Sequence, residues 1–191
     1  MAHVSIVGTG NMGQAISGVV TKGGNTVELF GQSDADKQVS GDIVVLAVPY
    51  PAVDDVVAVR GDQLAGKVVV DITNPLDFTT FDSLVVPADS SAAEQIAAKL
   101  PQSRVLKAFN TTFAATLASG KVGDLPTTVL IAGDDGDAKS QLAGVVTSGG
   151  LQAIDAGALK RARELEALGF LQLTLAVNER IAWTSGFAVV P

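Results

Sequence analysis

His3-Val4-Ser5-Ile6-Val7-Gly8-Thr9-Gly10-Asn11-Met12-Gly13 is the stretch whose reading decides the fold. An apolar, β-rich run over 3–8 meets a GxGxxG turn. Asn11–Lys22 then repeats Met12, Ala15, Ile16, Val19 and Val20 at helical spacing. Strand, glycine turn and helix in that order open a dinucleotide-binding βαβ unit. Each glycine has its own reason. Gly8 permits the tight turn, Gly10 lets the backbone approach a pyrophosphate, and Gly13 allows helix and sheet to pack closely. The pyrophosphate is then expected on free N–H groups at the positive end of the helix, against Gly8, Thr9, Gly10, Asn11, Met12 and Gly13.

Outward from this unit, strands and helices alternate. Strands are expected over Thr26–Phe30, 43–48, 67–72, 104–109 and 127–132, with a short last one over 152–155. Helices are expected over 51–60, 90–100 and 137–147, and a long helical pattern runs over 159–183. Ser90 and Ser91 are candidate caps with Glu94 in the first turn, and Asp134-Asp135-Gly136-Asp137 reads as a capped turn. The run Ile43-Val44-Val45-Leu46-Ala47-Val48 is apolar throughout, as in a strand buried on both faces of a parallel sheet. The alternation predicts an α/β, doubly wound, mainly parallel sheet over one domain, 1–191. Only 12 residues join the second and third strands, so the crossover there shrinks to a turn or a loop.

Composition excludes several classes. The chain has 191 residues, 47% of them apolar, and a formal net charge of −7. Such an acidic chain is unsuited to nucleic-acid phosphate. It has no cysteine and one histidine, His3, so thiolate chemistry is absent and no metal site is expected. No run approaches 18 apolar residues, and no signal peptide precedes the first strand, so a soluble cytoplasmic protein without a membrane partner is expected.

Nucleotide choice turns on the end of the second strand. The count from the glycine turn nominates Glu28 for a ribose hydroxyl, but Glu28 lies inside the strand and Gly31 holds the acid's place. Gln32, Ser33 and Lys37 offer hydrogen bonds to a 2′-phosphate, against the nearby charges of Asp34 and Asp36. NADP(H) is expected over NAD(H), with modest discrimination. Tyr50, Asn74 and Asn110 all follow strand ends, where parallel sheets bind ligands. The two asparagines can donate and accept without ionising.

Six motifs together, GTGNMG (8–13), LAVPY (46–50), ITNPLD (72–77), KAFNT (107–111), AGDD (132–135) and DAGALKRARELE (155–166), span nearly the whole chain. It resembles the NADP oxidoreductase family that includes the deazaflavin (coenzyme F420)-dependent NADP reductases, to which the cytosolic reductase domain of the six-transmembrane epithelial antigen of prostate ferric reductases is related. The resemblance implies a Rossmann-type sheet and hydride exchange between NADP(H) and a flavin or deazaflavin co-substrate. It implies that Val48, Pro49 and Tyr50 line the dinucleotide near its middle. It implies further that Ile72, Thr73, Asn74 and Pro75 approach the nicotinamide and that Ala108, Phe109 and Asn110 close that site; Asn74 and Asn110 are the expected catalytic pair. Gln32 and Ser33 stand where many members carry a Ser-Arg pair.

No His, Cys or Lys-Tyr pair is placed for the proton relay that an alcohol dehydrogenase requires, whereas hydride transfer between two rings asks the protein mainly for orientation. A redox-sensing module without turnover and a flavin-mediated ferric or quinone reductase are the alternative readings. The apolar surplus of the C-terminal helix, including Phe170, Leu171, Leu175 and Ala176, predicts a homodimer through that element.

Overall fold

A computed structural model describes residues 1–190. Its main sheet has seven strands: β1 (His3–Val7), β2 (Thr26–Phe30), β3 (Ile43–Leu46), β4 (Val68–Asp71), β5 (Arg104–Lys107), β8 (Thr128–Gly133) and β9 (Gln152–Gly157). Their order is β2-β1-β3-β4-β5-β8-β9. Every neighbouring pair is parallel except β5 and β8, which run antiparallel. Six helices accompany it: α1 (Asn11–Lys22), α2 (Val53–Leu64), α3 (Ala92–Lys99), α4 (Ala114–Ser119), α5 (Gly136–Ser148) and α6 (Ala162–Val177). A two-stranded ribbon, β6 (Lys121–Val122) with β7 (Leu125–Pro126), follows α4.

The sheet is apolar on both faces because helices cover both. Ile43 and Val45 point into a core with Ile16, Val19, Val129 and Leu142, while Val44 and Leu46 point into another with Val53, Leu64 and Ile96. All four residues of β3 are buried, as the unbroken apolar run requires. Ser91 caps α3 by accepting from Glu94 N at 3.1 Å, and Asp135 caps α5 by accepting from Ala138 N at 2.8 Å. The β2–β3 crossover is a single 3₁₀ turn, Gln32–Asp34, within a loop.

Several boundaries differ from the sequence expectation. β3 ends at Leu46 instead of 48, because the chain leaves the sheet once Ala47 N has donated to Val7 O. The helix expected over 51–60 opens as a 3₁₀ turn, Tyr50–Ala52, and continues as α2 to Leu64, through Gly61. β9 runs two residues beyond 155. The long C-terminal pattern starts with a 3₁₀ turn, Leu159–Arg161, and α6 stops at Val177, six residues before 183. There Asn178 Nδ2 donates to Thr174 O, Glu179 takes φ 56°, and Arg180 N closes onto Leu175 O, so the backbone reverses. α4 and its two-stranded ribbon have no counterpart in the expected elements. Among the described residues no helix is long and apolar enough to cross a membrane.

Candidate functional site

The three glycines of the β1–α1 turn are needed for different reasons, and the geometry separates them. Gly8 has φ +123°, and a Cβ there would fall 2.0 Å from Ala47 O. A Cβ on Gly13 would fall 2.1 Å from Gly8 O. Both glycines are therefore required by the protein's own packing. A Cβ on Gly10 would meet no protein atom within 4 Å. Gly10 is also the N-cap of α1, with no side chain capping the helix. Open space above uncapped N–H groups at a helix N-terminus is the arrangement that receives a pyrophosphate.

The adjacent strand end carries an acid after all. Asp34 turns back so that Oδ2 accepts from Gly31 N at 2.8 Å, and Lys37 Nζ sits 2.7 Å from Asp34 Oδ1. The Lys37 hydrogen bond, with that from Gly31, holds the Asp34 carboxyl below its ordinary value, and the same contact raises Lys37. Lys37 is thus committed to Asp34, while Gln32 and Ser33 stand exposed beside Gly31. Arg60, unassigned from sequence, is 3% exposed and braces this loop. It donates to the carbonyls of Lys37 and Asp34 and lies 4.9 Å over the Phe30 ring. Its position at the end of the helix expected over 51–60 gave no signal of this. Glu28 is occupied inside the fold, accepting from Ser5 Oγ and from Ser40 N and Oγ. Burial alone would raise its carboxyl, but these hydrogen bonds prevail and hold it below the ordinary range.

At the carboxyl ends of β4 and β5 the two asparagines meet. Asn74 Nδ2 donates to Asn110 O at 2.8 Å, and Asn110 Nδ2 donates both to Asn74 Oδ1 at 2.9 Å and to Leu165 O at 2.8 Å. Phe109 takes φ +63° between Ala108 and Asn110, a strained turn held by Thr112, whose N–H and Oγ1 both donate to Phe109 O. Gly169 of α6 lies against the pair: a Cβ there would be 2.3 Å from Asn74 Oδ1 and 2.9 Å from Asn110 O. Asn110 Oδ1 and Thr73 Oγ1 are buried without a hydrogen-bond partner.

The pair borders a cavity of about 380 Å³, walled by Met12, Ile72, Phe109, Phe113, Leu173 and Trp183 and approached by Asn11. Phe113 and Trp183 rings meet at 5.0 Å. The volume suits a small-molecule site, and its lining carries no titratable side chain. Tyr50, expected in the same crevice, is not among the lining residues. Its hydroxyl donates to Gln95 Oε1 at 2.6 Å and its ring packs beside Val48 against the core formed with α2 and α3. Burial raises its hydroxyl. Pro49 is exposed and Pro75 buried, with Pro75 O accepting from Val85 N.

Beneath the amides lies a buried charged cluster that sequence reasoning passed over. Lys107 Nζ is 2.8 Å from Asp71 Oδ2 and 2.8 Å from Glu166 Oε1, and it donates to Thr73 O. Asp71 Oδ1 accepts from Thr73 N at 2.8 Å. Glu166 also accepts from Ala92 N and Ala93 N at the start of α3. Asp71 and Lys107 end runs that are otherwise apolar, and opposite charges at the same register of neighbouring buried strands were the available signal.

A mainly parallel sheet, a glycine cradle with room for a ligand above Gly10, and an apolar crevice floored by amides define a Rossmann-type dinucleotide-binding protein. Residues 26–75 match the family model described as NADP oxidoreductase, coenzyme F420-dependent. The F420-dependent NADP reductase of Methanothermobacter thermautotrophicus is 32% identical over 166 residues, covering 83% of this chain and 71% of the relative. The chain belongs to this NADP oxidoreductase family. Metalloreductase STEAP3 of Rattus norvegicus is 37% identical over 107 residues, 56% of this chain but 21% of that protein. A crystal structure from Arthrobacter sp. FB24, provisionally assigned as an F420-dependent NADP reductase, superposes with a TM-score of 0.86 at 25% identity and covers both chains in full. The resemblance read from the six motifs, and the Rossmann-type class, agree with these matches.

Proposed function

We propose that this chain transfers hydride between NADP(H) and a deazaflavin or flavin ring, and that the cavity beside Asn74 and Asn110 is where the two rings meet. The carrying observation is the cavity's lining: apolar walls, the neutral amides of Asn11, Asn74 and Asn110, and no titratable side chain. Bound NADPH supplies the hydride, so the chain's task is to hold, orient and exclude water. Gly8 to Gly13 take the pyrophosphate, and Gln32 and Ser33 meet the 2′-phosphate, with Lys37 reaching it only by leaving Asp34. The unpartnered Asn110 Oδ1 accepts from the nicotinamide carboxamide, while its amide stays tied to Leu165 O. The strained Phe109 turn fixes that amide in place.

The test is fluorescence titration with NADPH and NADH in parallel, followed by turnover with 8-hydroxy-5-deazaflavin, FMN and ferric complexes. Tighter NADPH binding with deazaflavin or FMN reduction is the expected result. Binding without turnover on any acceptor replaces this reading with the redox-sensing module. Reduction of ferric complexes only in the presence of free flavin favours the flavin-mediated reductase, for which the similarity to STEAP3 speaks.

Two further features belong to the proposal. A second copy of the chain covers the exposed Leu171 and Val177 of α6 together with Phe187, since Ala162, Leu165, Gly169 and Ala176 of the same helix are already spent inside the chain. Sedimentation at micromolar concentration should give twice the chain mass; a monomer removes the dimer. The cytoplasm, where NADPH is kept reduced, is the expected compartment.

A further inference from the structure

The charge beneath the two amides does not balance. Asp71, Lys107 and Glu166 are each at most 1% exposed. Two carboxylates face one ammonium, so with both carboxylates ionised one negative charge is left over in the interior. The first amides of α3 donate to Glu166 and offset part of it, through Ala92 N at 2.9 Å and Ala93 N at 3.3 Å. Burial raises the Glu166 carboxyl, against the opposing pull of Lys107 and the Ala92 amide. A surplus charge in a dry interior is costly, so its retention calls for a reason.

The cluster is wired to the cavity through the backbone. Asp71 and Lys107 grip the N–H and the carbonyl of Thr73, the residue before Asn74. Glu166 directly follows Leu165, whose carbonyl holds the Asn110 amide. Asp71 and Lys107 thus hold the residue before Asn74, and Glu166 adjoins the residue that holds the Asn110 amide.

An oxidised nicotinamide ring carries a positive charge and a reduced one carries none. A fixed negative charge in a low-dielectric wall discriminates between the two. We propose that the surplus charge of Asp71–Lys107–Glu166 makes this chain bind NADP⁺ more tightly than NADPH, biasing the bound nucleotide toward giving hydride away. The inference rests on the reading of the cavity as the nicotinamide site. These three are positioning residues that act through Thr73 and Leu165 and by their field.

Dissociation constants for NADP⁺ and NADPH, measured by calorimetry on the full chain, test it without any acceptor. The wild-type protein should hold NADP⁺ the more tightly; tighter binding of NADPH overturns the proposal. Glu166→Gln keeps the side chain's size and removes the charge. It should shift the ratio of the two constants against NADP⁺ by roughly five- to tenfold. Asp71→Asn removes a charge from a different element and should shift the ratio in the same direction, which covers the case in which Glu166→Gln fails to fold. A purely structural role would weaken both nucleotides by one factor and leave the ratio unmoved, and that result overturns the proposal. Loss of both nucleotides already in the wild type overturns the dinucleotide reading itself, a separate outcome.

Discussion

Replacing Gly169 by alanine adds one methyl group where α6 touches the amide pair. In a helix interior this exchange stabilises by about 1 kcal/mol. Here the new Cβ would lie 2.3 Å from Asn74 Oδ1 and 2.9 Å from Asn110 O, far inside ordinary contact. The Asn74 side chain can swing away, but doing so breaks its two hydrogen bonds with Asn110. At about 0.5–1.5 kcal/mol each, that is about 1–3 kcal/mol. The net expectation is a loss of stability of about 0–2 kcal/mol together with a site whose amides no longer face the cavity correctly. A displacement of this kind costs about 10- to 100-fold in turnover. The assay is urea unfolding beside NADPH oxidation with a deazaflavin acceptor. Gly144→Ala supplies the comparison: it too is helical, but its Cβ meets nothing within 4 Å. Gly144→Ala should gain up to about 1 kcal/mol and leave turnover unchanged. If Gly169→Ala gains as much stability and keeps full turnover, the amide pair has no role in orientation and the reasoning fails.

Gly10→Val should leave the unfolding midpoint near that of the wild type, because its side chain enters open space, while NADPH affinity falls more than about tenfold; Gly8→Val, by contrast, should not give a folded protein. Arg60→Met strands the carbonyls of Lys37 and Asp34 and removes the stack on Phe30, so urea unfolding should show a loss of about 2–3 kcal/mol. Glu28 has a carboxyl held below its ordinary value, so the stability it contributes is present above the unfolded-state value and disappears as pH falls through the folded one. The stability gap between wild type and Glu28→Gln should therefore be constant near neutrality and close between about pH 5 and pH 3; a gap that widens on acidification would contradict the hydrogen bonds from Ser5 and Ser40.

Most of the sheet could be read from the chain because its strands are buried twice over. A run such as Ile43–Leu46 has one physical explanation, and the glycine turn has three constraints that glycine alone meets. What escaped reading depends on tertiary context. α4 spans six residues, too few for a periodicity, and forms where Thr116 Oγ1 and Phe113 exchange hydrogen bonds. The antiparallel entry of β8 leaves no mark on its composition. α6 looked longer because apolar residues continue past Val177, whereas the reversal at Asn178 and Glu179 is set by carbonyls a turn earlier. In the site, the convergence of Asn74 and Asn110 followed from their places at neighbouring strand ends. Tyr50 occupies an equivalent place, yet the 3₁₀ turn it begins aims its ring at α3. Asp34 could be read as a charge near Lys37 in an expected loop, but only the turn shows that the two pair directly.

Trp183 is the only tryptophan in the chain, and it sits in the cavity wall against Phe113. The protein therefore carries a built-in optical probe, selected by exciting beyond the absorption of Tyr50, the one tyrosine. A reduced nicotinamide or a deazaflavin ring entering the cavity absorbs where indole emits, so each ligand will quench that emission by energy transfer. The order in which nucleotide and acceptor arrive can be followed in real time on the unlabelled, unsubstituted protein.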